Sequence, residues 1–119
     1  MCSSDLLPLL TLPGSATEAA AAEVRLRAVT EAFADRGYAD DGSLVPRGQP
    51  GALVTDPPAV AARAVAMVIA GAVDTVEGHR VEVIPRSLCV HGDTPGAVRI
   101  ATAVREGLER AGVTLAPFA

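Results

Sequence analysis

"LRAVTEAF", residues 26–33, is the stretch on which the fold turns. Leu26, Ala28, Thr30 and Ala32 alternate with Arg27, Val29, Glu31 and Phe33, a spacing clean for neither a helix nor a half-buried strand. Read as helix, it merely continues the Ala-rich run before it. Read as strand, it completes a β-α-β unit. A second apolar run weighs on the choice: "SLCVHGDTPGAV", residues 87–98, carries Leu88-Cys89-Val90 and then breaks into His91-Gly92-Asp93. Residues 26–33 likewise break into Asp35 and Arg36. Two apolar runs that each end in polar side chains suit two parallel strands sharing one rim. The expectation is therefore a strand over Leu26–Phe33, against a helix unbroken from Ala16 through Ala34.

Outward from there, Leu6 to Leu12 reads as a short strand closed by Pro13-Gly14. Ser15, with Glu18 three residues on, has the spacing of a capping box for a helix from Ala16 to about Val24. Residues 34–55 hold four glycines and two prolines and predict a long loop, a kind of segment that is more often functional than incidental. Asp56 caps the next helix, with Pro57 in its tolerated first position. That helix, Val60 to Ala70, is apolar nearly all round apart from Arg63 and ends at Gly71. Val73–Val76 and Arg80–Ile84 flank Glu77-Gly78-His79 as a hairpin with Val81 and Val83 inward. Here His79 reads as a merely exposed tip. Ser87–Val90 is a buried strand. A last helix, Pro95 to Ala111 with Thr94 as cap, places Val98, Ala101, Val104, Leu108 and Ala111 on its apolar face. Val113–Leu115 starts another strand. The order is that of an α/β fold with parallel strands.

Composition narrows the function. The 119 residues carry a net charge of −4, and every one of the 10 basic residues is Arg. Without Lys there is no Schiff-base chemistry and no lysine-bearing phosphate loop. Aromatic residues make up 3% and no basic cluster occurs, which argues against nucleic-acid binding. Cys2 and Cys89 lie far apart and fit neither a zinc pattern nor a disulfide framework, and no apolar run is long enough to span a membrane. No signal-peptide order opens the chain, so the cytosol is the expected compartment.

Two constellations carry chemistry. His91 and Asp93 stand past a strand's carboxyl end beside a helix start, where α/β folds collect ligands and helix N-termini favour anions. His91 suits an acid–base group and Asp93 its carboxylate partner, with Gly92 leaving room for a ligand. The bland reading, that both only serve the local backbone, stays open. The second constellation is Glu31, Asp35, Arg36, Tyr38 and Arg47, which shares the rim if residues 26–33 are a strand; a solvated Asp-Arg pair is its bland counterpart.

At these residues the chain resembles a known family. "EAFADRGYADDGSLVPRGQPGALV" followed by "LCVHGDTPGAV" is similar to the C-terminal half of the LamB/YcsF family, and "LPGS" to that family's "LAGS" turn. The match runs from about Leu9 to Leu115. It implies the C-terminal part of a (β/α) barrel-like fold of the glycoside hydrolase and deacetylase type, here with a β-hairpin insertion. It also implies ATP-driven opening of 5-oxo-L-proline to L-glutamate together with subunits B and C, in the cytoplasm. The motif positions present are His91, Asp93, Asp35 and Glu31 as catalytic candidates, and Arg36, Tyr38, Arg47, Gln49 and Gly92 as substrate- or phosphate-binding candidates. ATP is the implied cofactor, a divalent metal is compatible, and no metal ligand is assigned. A lactam is an unactivated amide, so water needs a carboxylate or imidazole base while Arg steadies an anion.

The family is about twice this length, near the roughly 250 residues of a full barrel, and its "DLNADLGE"- and "GFHAGD"-type motifs are missing here. The expectation is that residues 7–119 form a C-terminal portion, that "MCSSDL", residues 1–6, is an artefactual start, and that the chain alone lacks activity. An incomplete fold should leave apolar surface near Met67, Val68 and Ile69 or an open sheet edge. Two other readings remain: a metal-dependent deacetylase-like hydrolase using His91 and Asp93, and a non-catalytic module that docks partner subunits.

Overall fold

The computed structural model describes residues 7–118, so the supposed artefactual start at residues 1–6 lies outside the described residues. Strand β1 (Leu9–Thr11) leads through Pro13-Gly14 into helix α1 (Ala16–Glu23). Ser15 Oγ accepts the Glu18 amide at 3.2 Å, and Glu18 reaches back to the Gly14 amide at 3.0 Å. This is a capping box displaced by one residue. The helix then closes early. Arg25 N–H bonds the Ala22 carbonyl and Leu26 N–H the Ala21 carbonyl, with Arg25 at φ 58°. That is a Schellman closure with arginine in the place glycine usually takes. It releases residues 28–33 as strand β2 (Ala28–Phe33), so the expected strand exists and starts two residues later than its apolar run.

β2 is the middle strand of a parallel sheet ordered β1-β2-β5, where β5 is Ser87–Cys89. Thr30 fastens the register: its hydroxyl donates to the Ile84 carbonyl and accepts the Arg86 amide, both at 3.1 Å. Ser87 Oγ adds a bond to the Thr30 carbonyl. Helix α2 (Pro57–Ile69) is capped by Asp56, which accepts the Ala59 amide, and ends at Gly71, φ 65°. Strands β3 (Ala72–Asp74) and β4 (Arg80–Glu82) pair antiparallel, and helix α3 (Ala97–Arg110) lies against α2. The molecule is a mixed α/β fold built on a parallel sheet.

Two apolar clusters flank α2. One gathers Ala34, Val60, Ala64, Ile100, Val104 and Leu108; the other gathers Ala32, Tyr38, Met67, Val73 and Val83. Leu88 packs against both, tying β5 to each.

Four expectations give way. Thr94 does not cap α3. Gly96, at φ 80°, is the cap, because the Ala97 amide bonds back to the Thr94 carbonyl and turns residues 94–97 before the helix begins. The buried stripe of α3 is Ile100, Val104 and Leu108, with Val98 80% exposed and Ala101 also outward. Ile100, Val104 and Leu108 repeat at i, i+4 and i+8, and this row is the one that packs on Val60 and Ala64 of α2. Residues 113–115 form no strand: the Val113 amide is taken by the Leu108 carbonyl. Met67 is fully buried in the second cluster, whereas Val68 and Ile69 do stay exposed.

Candidate functional site

The register of β2 against β5 ends with Phe33 opposite Cys89. Asp35 and His91 each lie two residues further on, so the strands bring them to the same level of the same rim. There the Asp35 carboxylate accepts the His91 backbone N–H at 2.8 Å, and His91 Nδ1 lies 3.0 Å from both of its oxygens. The carboxylate is almost wholly buried, while about a fifth of the imidazole remains open to solvent. A carboxylate only accepts, so Nδ1 is the donor of this pair, the tautomer that in the neutral ring leaves the lone pair on Nε2. Among the described residues no hydrogen-bond partner reaches Nε2. Phe33 stacks on the imidazole with centroids 5.7 Å apart and planes at 21°. The ring is thus held on an edge and on a face. Asp93, the expected partner, is exposed and makes no hydrogen bond among the described residues. The partner of His91 is Asp35, from 56 residues upstream.

The other candidates separate into two groups. Arg36 is buried, and its guanidinium donates to the Ala52 carbonyl at 3.2 Å and the Val45 carbonyl at 2.8 Å. It anchors the long loop to the end of β2. Tyr38 is also buried, its phenolic oxygen accepting the Phe33 amide at 3.0 Å, and burial raises its pKa. Gly37 sits between them because a Cβ there would collide with the Gly51 carbonyl oxygen. Glu31 is half-buried within β2, on the face that alternation gives it in common with Phe33. Arg47, Gln49 and Gly92 are exposed. The structure therefore brings together His91 and Asp35, sets Arg36 and Tyr38 to holding the loop, and leaves Arg47 and Gln49 on the surface.

A residue not singled out for the site also belongs to it. Arg63, on α2, donates through Nε to the Ala34 carbonyl at 3.0 Å and through Nη2 to the Arg36 carbonyl. Burial lowers its pKa. The signal was present in the sequence: it is the one charged side chain in an otherwise apolar helix.

A second polar group lies away from this rim. Asp40 accepts the Thr75 hydroxyl at 2.6 Å and meets His79 Nδ1 at 2.6 Å, so His79 is not merely an exposed tip. Thr75 in turn accepts the Glu77 and His79 amides. Ligand-type atoms of Asp40, Glu77 and His79 all fall within 4.8 Å of one another, a group that could hold a metal ion. Cys89, half-buried on β5, is a reduced thiol whose pKa is pushed up by burial and then by Glu31 and Asp35, which disfavours the reactive thiolate.

Comparison with known proteins agrees with this architecture. The LamB/YcsF family model matches residues 2–119. A relative from Streptomyces coelicolor, named as the A-type subunit of 5-oxoprolinase, is 58% identical over 113 residues, covering 95% of this chain and 45% of its own length. One of the same name from Thermus thermophilus is 47% identical over 112 residues. The crystal structure of a lactam utilization protein, also from Thermus thermophilus, superposes with a TM-score of 0.88 at 46% identity, over 94% of this chain and 44% of that one. The chain spans a little under half the length of the relatives it matches. With its matched motifs, its parallel sheet and this superposition in agreement, the chain belongs to the LamB/YcsF family.

Proposed function

We propose that this chain supplies the acid–base part of the A-type subunit of a 5-oxoprolinase, within a barrel-like fold in which the β3–β4 pair is an insertion. The reaction is 5-oxo-L-proline plus ATP and two waters giving L-glutamate, ADP and phosphate, in the cytoplasm and with subunits B and C. The observation that carries the reading is the His91–Asp35 pair at the carboxyl ends of adjacent parallel strands. Asp35 fixes the imidazole tautomer, and Nε2 takes a proton from the attacking water and returns one to the departing ring nitrogen. The names of the relatives support the substrate, since a cyclic amide is a lactam. Glu31 and Asp93 are the further carboxylates within the rim segments. Arg47, Gln49 and Gly92, exposed on the long loop and the rim, are the candidates for contacting substrate or phosphate, and the side chains of Arg36 and Tyr38 support the wall behind them. The nucleotide contacts lie in irregular backbone, in the portion of the family domain outside the matched half, or in the partner subunits.

A divalent cation is a companion to ATP chemistry, and the Asp40–Glu77–His79 group offers it nitrogen and oxygen donors. This observation, and not the pairing of His91 with Asp93, is what a metal-assisted reading would rest on.

The test is glutamate release from 5-oxo-L-proline with ATP. It uses the chain alone, then the chain with subunits B and C, then that mixture completed by the remaining portion of a relative's family domain. Turnover is expected only in the completed mixture, and His91→Asn should reduce it by about a hundredfold or more, the lower range for losing a general base. Undiminished turnover with His91→Asn overturns the assignment. A completed mixture that binds its partners without turnover favours a docking module.

A further inference from the structure

We infer that Arg63 is a positioning residue of the His91–Asp35 pair, acting from α2 through the backbone that carries Asp35. Three successive carbonyls follow the end of β2, beyond its pairing with β5. Arg63 Nε takes that of Ala34 at 3.0 Å, the Val54 amide takes that of Asp35 at 2.9 Å, and Arg63 Nη2 takes that of Arg36. One guanidinium thus grips the chain on both sides of Asp35. The fork is planar and rigid, so two bonds to it fix the orientation of the intervening residue as well as its place. No carboxylate hydrogen-bonds Arg63 among the described residues, so these carbonyls are its occupation. A cation placed inside an apolar helix only to cross the surface would be free to snorkel outward; this one points inward and holds peptide oxygens.

The inference rests on the functional reading for its purpose but not for its geometry, so the two can fail separately. The probe is the Nδ1-bound proton of His91, followed by nuclear magnetic resonance in the ¹⁵N-labelled full chain, with Asp35→Asn marking the signal of a disturbed pair. Arg63→Gln removes the charge and one arm of the fork. Arg63→Lys keeps the charge and reach but can grip only one carbonyl in fixed geometry. Val65→Ala, two residues away on the same helix, controls for loosened packing alone. Solvent exchange of the His91 Nδ1 proton should speed up by about tenfold or more in Arg63→Gln, the ratio matching loss of one charge-assisted bond. It should speed up less in Arg63→Lys and stay at the wild-type rate in Val65→Ala. If Arg63→Gln does not fold, Arg63→Lys decides alone. A folded Arg63 variant with the wild-type rate, or an equal change in Val65→Ala, overturns the positioning role. An Arg63-sensitive signal in a mixture without turnover overturns the functional reading and leaves the positioning role standing.

Discussion

Asp40 and His79 are 39 residues apart in sequence and 2.6 Å apart in space, and their contact fastens the β3–β4 turn to the long loop. The Thr75 hydroxyl, then His79, hold the Asp40 carboxyl below its ordinary value of 3.8, and Asp40 raises His79 above 6.5. The signs define a window. The Asp40 part is present above its unfolded value and is lost as pH falls through the lowered one. The His79 part is present below 6.5 and is lost as pH rises through the raised value. Glu77 opposes the pair, because Asp40 beside it raises its carboxyl. The melting temperature of the wild type should therefore exceed that of His79→Asn most between about pH 4 and 6.5, with the difference closing in alkali. A difference that is flat from pH 4 to 9 removes the ion pair from the account. At the same scale, Asp35→Ala leaves the part-buried His91 backbone N–H without its acceptor and should cost about 1–2 kcal/mol in a denaturant titration.

At the scale of elements, the Schellman closure of α1 is the feature that makes β2 a strand. Arginine in a left-handed conformation carries a penalty of roughly 1–2 kcal/mol, which glycine does not. Arg25→Gly should stabilise the chain by about 0.5–1 kcal/mol after the added freedom of the unfolded chain is subtracted, readable as a higher denaturation midpoint. This same closure shows why sequence led part of the way only. The strand and its rim were legible because each of two apolar runs breaks into polar side chains, Asp35 and Arg36 after one and His91 after the other. The helix end was less so, because no glycine marks it. Asp56-Pro57 and Gly71 announced α2 at both ends through ordinary capping chemistry. On α3, a turn at residues 94–97 delayed the start, something local pattern does not encode. The partner of His91 was misassigned to Asp93 for the same reason: nearness in sequence is visible, whereas pairing across 56 residues depends on register.

For the whole molecule, the sheet has two outer strands, and among the described residues neither pairs on its far side. β1 is the more apolar edge. Leu9 and Leu10 within it are 38% and 42% exposed, and Leu7 and Leu12 beside it are also outward. Unpaired apolar edges recruit further strands. The purified chain should associate with rising concentration in sedimentation velocity, and Leu10→Lys should suppress that association. Equal behaviour of the two would exclude β1 as the contact. There is a practical corollary in the burial of Tyr38 behind the loop. The chain has no Trp and a single Tyr, so its near-ultraviolet emission comes from one phenol, hydrogen-bonded to the Phe33 amide at the foot of the rim. Without any label, the protein is lit from one place only, the strand end that leads into Asp35, and a fluorimeter can watch that end open or close.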